Sequence, residues 1–123
     1  NAAHPANGLA ALYLATGQDI ANIGESNQCS VYTRVTREGD YFFSITLPAL
    51  ILATYGGGTN LPTQRECLEI MDCHGQGKAL KLAEIAAGLV VAGELSLGAA
   101  TRVDKETRQN EWVNAHERLG RNR

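Results

Sequence analysis

Between Cys29 and Leu47 polar and apolar residues alternate, whereas on either side apolar positions recur every three or four residues. Alternation is the mark of half-buried strands, and the longer period that of helices with one apolar face. Cys29 to Thr36 alternates and is rich in β-branched residues, Glu38-Gly39-Asp40 is turn chemistry, and Tyr41 to Leu47 alternates again. In the second run Phe42, Ser44 and Thr46 share one face and Tyr41, Phe43, Ile45 and Leu47 the other, which predicts an antiparallel hairpin. Ala49 to Thr54, after Pro48, reads as a third strand. Upstream, Leu9, Leu12, Tyr13 and Ile20 predict a helix from Gly8 to Ile23, with Asn7 as its cap and His4-Pro5 as an extended lead-in. Within it Thr16-Gly17-Gln18-Asp19 interrupts the apolar rhythm, and a glycine there implies a bend or a close backbone contact.

Downstream, Pro62 to Met71 reads as a helix with Cys67, Leu68 and Met71 inward. Ala79 to Ala100 reads as a long helix with Leu80, Ala83, Ala87, Val90, Val91 and Leu95 on its apolar side. Gly88, Ala92, Gly93 and Ala99 make that helix narrow, as in a helix packed within a larger body. Thr101 to Asn110 is polar, a linker or exposed helix, and Glu111 to Leu119 is a candidate final helix. The fold class is α+β: an antiparallel hairpin or small sheet packed on helices, in a single segment.

The centre of the chain is Leu52-Ala53-Thr54-Tyr55-Gly56-Gly57-Gly58-Thr59-Asn60-Leu61-Pro62. Three consecutive glycines cost backbone entropy, so they imply positive φ angles or close approach of another backbone or a ligand. A glycine turn running into a helix started by Pro62 can present N–H groups to a phosphate. A sharp turn without a ligand explains the same residues and, on the motif alone, is the commoner outcome. The run is neither Gly-x-Gly-x-x-Gly nor a Walker loop, because no Gly-Lys-Ser/Thr follows.

Composition narrows the field. The 123 residues are 44% apolar and 20% charged, which suits one small domain with a core. A net charge of −2 provides no field that would draw the chain to nucleic acid. Cys29, Cys67 and Cys73 are odd in number and lack paired spacing, so they fit a reducing, cytoplasmic setting better than a disulfide framework. No signal-peptide pattern opens the chain, and no apolar run is expected to reach the roughly 20 residues of a membrane span. Anchoring of a parent protein stays open, and the initial Asn1 suggests a processed or cut piece.

Several side chains invite a chemical reading beside a bland one. Asp19 is by default a solvated surface acid, or else a site carboxylate. Glu94, in Ala-Gly-Glu-Leu-Ser, is an acid among small apolar neighbours and needs a partner if buried. His4, His74 and His116 show no metal-ligand spacing, so no metal site is expected. Arg121 and Arg123 either bind phosphate or solvate a terminus.

Taken in order, these pieces carry a resemblance. Asn1 to Asn7 with His4, then Ala-Thr-Gly-Gln-Asp, then Thr-Tyr-Gly-Gly-Gly-Thr-Asn-Leu-Pro-Thr-Gln, then Ala-Gly-Glu-Leu-Ser-Leu, then Ala-His-Glu-Arg-Leu-Gly-Arg together resemble 3-hydroxy-3-methylglutaryl-coenzyme A (HMG-CoA) reductases over nearly the whole chain. The resemblance implies the C-terminal part of the family's large, substrate-binding domain. It implies reduction of HMG-CoA to mevalonate with two NADPH and release of coenzyme A. Asp19 matches the catalytic aspartate and His116 the histidine that protonates the departing thiolate. Thr54, Gly56, Gly57, Gly58 and Thr59 match the dinucleotide-contacting loop, and Arg121 the residue near the cofactor's 2′-phosphate. His4, Asn7, Leu97 and Ala100 match the substrate pocket. The family's catalytic glutamate and lysine, and the small domain that holds most of the NADPH, correspond to sequence upstream of Asn1. The implied partners are therefore HMG-CoA, coenzyme A, the rest of the catalytic region and a second subunit across the active site. A non-catalytic coenzyme-binding or regulatory module of the same fold is the alternative.

Overall fold

The computed structural model describes residues 2–102. His116, Arg121 and the candidate final helix lie outside the described residues. Helix α1 (Pro5–Thr16) is followed by a single tight turn at Ile20–Asn22 and the short α2 (Ile23–Ser26). Strands β1 (Ser30–Val35) and β2 (Tyr41–Thr46) come next, then a tight turn at Gly57–Asn60, α3 (Pro62–Ile70) and α4 (Ala79–Ala100). This is an α+β arrangement, with one two-stranded antiparallel sheet registered from Ser30 opposite Thr46 to Val35 opposite Tyr41.

The first helix departs from expectation at both ends. It begins at Pro5, because proline supplies a helical φ and the missing N–H costs nothing in the first turn. His4, not Asn7, is the cap residue. The helix stops at Thr16 rather than Ile23, because Gly17 adopts φ +70° and returns its N–H to the Tyr13 carbonyl.

Ala49 to Thr54 forms no strand. Its backbone is held by side chains of the first two helices and of the turn between them instead of by a neighbouring strand. Tyr13 Oη donates to the Ile51 carbonyl at 2.5 Å, Ile51 N–H donates to Ser26 Oγ at 3.0 Å, and Gln18 engages Ala53.

The core has two lobes. Leu9, Tyr13, Ala86 and Val90 form one, with Ile45, Leu47, Leu50 and Leu52 packed against it. Leu68, Cys73 and Leu82 form the other, with Met71 and Ile85 beside them. The buried stripe of α4 is therefore Leu82, Ala86 and Val90; of the expected apolar side Val90 is buried and Ala83, Ala87 and Val91 are half-buried, but Leu80 is 82% exposed and Leu95 is 41% exposed. The helix is apolar nearly all round, so periodicity does not choose a face for it. By length and composition α4, with 22 residues and mean hydropathy 1.6, also meets the requirement for a membrane span, contrary to the expectation from sequence.

Candidate active site

The turn after α1 and the glycine run are built against each other. The Gly17 and Gly58 backbones meet so closely that a Cβ on Gly58 would stand 2.6 Å from the Gly17 carbonyl oxygen, and a Cβ on Gly17 would overlap the Gly58 carbonyl. This contact, not a ligand, explains two of the glycines. Gly56 and Gly57 have φ of +80° and +53°, and a Cβ on either would meet nothing within 4 Å. Their glycine character answers a conformational demand and leaves bare backbone on an open surface.

That bare backbone lines a cleft of about 280 Å³ together with Gly17, Gln18, Asp19, Tyr55, Gly58 and Thr59. The structure thus brings Asp19 and most of the glycine loop to one place. Asp19 is exposed, and one carboxylate oxygen accepts the Ala21 N–H at 3.0 Å, which fixes the side chain over the turn at Ile20–Asn22. Its other oxygen has no hydrogen-bond partner among the described residues.

The two threonines of the loop are buried and internally satisfied. Thr59 Oγ1 donates to the Gly56 carbonyl at 2.6 Å and pins the loop's curl. Thr54 Oγ1 donates to the Gly75 carbonyl and Gly75 N–H to the Thr54 carbonyl, both at 2.7 Å. Thr54 does not line the cleft; it ties the loop's entrance to the segment before α4. Gly56 and Gly57 thus leave backbone without side chains on a cleft that the Asp19 carboxylate and Tyr55 also line.

A second cleft, of about 390 Å³, lies between the start of α1 and the end of α4. Ala3, His4, Asn7, Gly93, Ser96, Leu97 and Ala100 line it. The four residues matched to a substrate pocket therefore line one cleft, although His4 and Asn7 are some 90 positions from Leu97 and Ala100. The His4 ring is wedged between α1 and α4: a Cβ on Gly8 or Gly93 would overlap it. His4 Nε2 is buried without a hydrogen-bond partner, the one such side-chain atom among the described residues.

Glu94, which needs a partner if buried, has two. Its Oε1 accepts the N–H of Ala3 at 2.6 Å and of His4 at 2.5 Å. Burial pushes the Cys29 thiol above its usual range, and the nearby Glu94 carboxylate adds to the effect, so this thiol stays protonated near neutrality. Gln18, Gly93 and Ser96 are site residues that single-residue reasoning passes over. Gly93, Ser96, Leu97 and Ala100 stand at helical spacings of three and four, so the stripe was readable once two of its members were known.

A family model described as hydroxymethylglutaryl-coenzyme A reductase matches residues 1–121. The chain is 48% identical over 124 residues to 3-hydroxy-3-methylglutaryl-coenzyme A reductase of Pyrococcus abyssi, covering 97% of this chain and 29% of that protein. It is 46% identical over 119 residues to the Methanocaldococcus jannaschii protein of the same name, covering 97% of this chain and 28% of the relative. To the Strongylocentrotus purpuratus protein of that name it is 48% identical over 106 residues, 80% of this chain and 11% of the relative. The chain therefore spans less than a third of the length of these curated relatives.

Proposed function

This chain belongs to the hydroxymethylglutaryl-coenzyme A reductase family, and on that premise we propose that it forms the C-terminal part of an enzyme that reduces HMG-CoA to mevalonate. The observation that carries the reading is the pair of clefts. One joins Asp19 to the glycine loop, and the other joins His4 and Asn7 to Leu97 and Ala100.

NADPH, when bound, supplies the hydride for each of the two reductions. Gly56 to Thr59 would hold it through backbone groups, with Arg121, outside the described residues, at its 2′-phosphate. Asp19 keeps one oxygen on Ala21 N–H and offers the other to the cationic lysine of the upstream region. That pairing sets the charge beside the reacting carbonyl and lets a proton be delivered to the oxygen that becomes negative. His4, Asn7, Leu97 and Ala100 hold the acyl group against the α4 wall. The first reduction yields a hemithioacetal, whose C–S bond breaks to leave mevaldehyde and the coenzyme A thiolate. His116 donates the proton that converts this thiolate to the thiol, a task suited to an imidazole titrating near pH 6.5. The aldehyde is then reduced to the alcohol.

The active site on this reading is shared with the upstream region and a second subunit, so residues 1–123 alone have no turnover. The test is an assay of the reductase polypeptide that carries this chain, with HMG-CoA and NADPH, beside its Asp19→Asn variant. Two NADPH consumed per mevalonate, and a loss of at least about a hundredfold in kcat for a folded Asp19→Asn protein, are expected. Wild-type kcat in that variant, or ordinary turnover by residues 1–123 alone, would overturn the reading.

A further inference from the structure

We propose that Glu94 is a positioning residue for acyl-group binding: by holding the N–H groups of Ala3 and His4, it fixes where His4 and Asn7 stand in the wall of the cleft between α1 and α4. The inference rests on the reductase reading and adds to it a residue that lies behind the pocket wall.

Three features of the structure support it. First, the segment entering α1 has few ways to be held. His4 caps the helix without a side-chain cap bond, and Pro5 has no N–H to give. The N–H groups of Ala3 and His4 are the donors that precede the helix, and one Glu94 oxygen takes both, at 2.6 and 2.5 Å. Charge-assisted bonds of this kind are the strong class, and a carboxylate beside a helix N-terminus also meets the favourable end of the helix dipole.

Second, the tether joins the two elements that wall the cleft. Glu94 belongs to α4, next to Gly93, whose missing side chain makes room for the His4 ring. Ser96, Leu97 and Ala100 of the same helix form the opposite wall. Releasing the tether would let the α1 entry move relative to these three residues.

Third, His4 Nε2 has no partner among the described residues. Nothing bonded to the ring tip fixes the imidazole, so its place depends on the glycine-walled slot and on the backbone that Glu94 holds. A ligand group that bonds this ring needs that backbone fixed beforehand, and preorganisation of this kind appears as binding affinity.

The experiment compares Glu94→Ala and Glu94→Gln with wild type in the reductase polypeptide that carries this chain. Amide hydrogen exchange at Ala3 and His4 reads the tether directly. Michaelis constants for HMG-CoA and for NADPH read its consequence. Glu94→Ala is expected to lose about tenfold protection at Ala3 and His4 while the amides of Ala86 and Val90 keep theirs. Its KM for HMG-CoA should rise about tenfold, with KM for NADPH within about twofold of wild type. Glu94→Gln retains an acceptor oxygen, folds without a truncation, and should recover most of both losses. Unchanged protection in both variants would overturn the tether. Lost protection with unchanged KM for HMG-CoA, or equal rises for both ligands, would overturn the positioning role. A wild-type protein that fails to turn over HMG-CoA would overturn the reductase reading instead, and the exchange comparison would still decide the tether.

Discussion

Gln18 completes the backbone of Ala53 as a neighbouring strand would: its Nε2 donates to the Ala53 carbonyl at 2.8 Å and its Oε1 accepts the Ala53 N–H at 2.7 Å. One side-chain amide thereby joins the residue before Asp19 to the residue before Thr54. The two halves of the first cleft are held in register by this pair.

Replacing Gln18 by Ala removes both bonds and is expected to cost about 1–3 kcal/mol. The measurement is the urea midpoint, with an unchanged slope showing that only stability has moved. Gln18→Glu keeps an acceptor for the Ala53 N–H but sets an anion against the Ala53 carbonyl. Its deficit should shrink as pH falls below about 4, where the acid becomes a donor again. A Gln18→Glu deficit that ignores pH would refute the amide's donor role.

Gly17→Ala should destabilise the protein by about 2–4 kcal/mol, because a left-handed φ is costly for alanine and the new methyl meets the Gly58 carbonyl. Gly88→Ala is the control. Its site in α4 has nothing within 4 Å of the new Cβ, and the change should be neutral or stabilise this chain by about 0.5–1 kcal/mol. Equal effects of the two substitutions in thermal denaturation would contradict the close approach of Gly17 and Gly58.

Asp72 accepts from Lys78 Nζ at 2.5 Å and Lys81 Nζ at 3.0 Å, and these ammonium groups lower its carboxyl to about 2. A depressed carboxyl pKa contributes stability that is fully present above the unfolded value near 3.8 and is lost as pH falls through about 2. Asp72→Asn should remove that dependence between about pH 4 and pH 2 and leave the pH profile above it flat. Asparagine also tolerates the φ of +52° at this position, so the comparison isolates charge from backbone strain. Because the group is exposed, added salt should shrink the difference. The check is acid titration of wild type and variant by NMR and by denaturation. A carboxyl that titrates near 4 would disprove the pairing in solution.

On the proposed mechanism, His116→Gln in the reductase polypeptide should slow thioester reduction by roughly a hundredfold or more. Free mevaldehyde has no thiolate to release, so its reduction should lose less. Glutamine hydrogen-bonds but cannot deliver a proton at neutral pH. Comparing kcat on the two substrates decides the matter. Equal losses would assign His116 to positioning, and an unchanged thioester rate would mean that the acid is elsewhere.

Sequence alone determined the elements whose causes are local. The hairpin was legible because alternation, β-branched residues and Glu38-Gly39-Asp40 all favour it independently, and the register runs as that turn requires. The helix start at Pro62 follows from the proline itself. The family was legible because its motifs occur in order along nearly the whole chain. Tertiary structure decided whatever depends on residues distant along the chain. Ala49 to Thr54 has strand-like composition, yet Tyr13, Ser26 and Gln18 satisfy its backbone and leave no edge for a third strand. The inward face of α4 was legible only in part, at Val90, because a nearly all-apolar helix takes its orientation from its neighbours, here Leu9 and Tyr13. Gly17 and the glycine run each read as a turn or a close backbone contact; only the tertiary structure shows that Gly17 and Gly58 make that contact with each other. Glu94 read as an acid in search of a partner, and its partners are backbone N–H groups some 90 residues away, which no local pattern encodes.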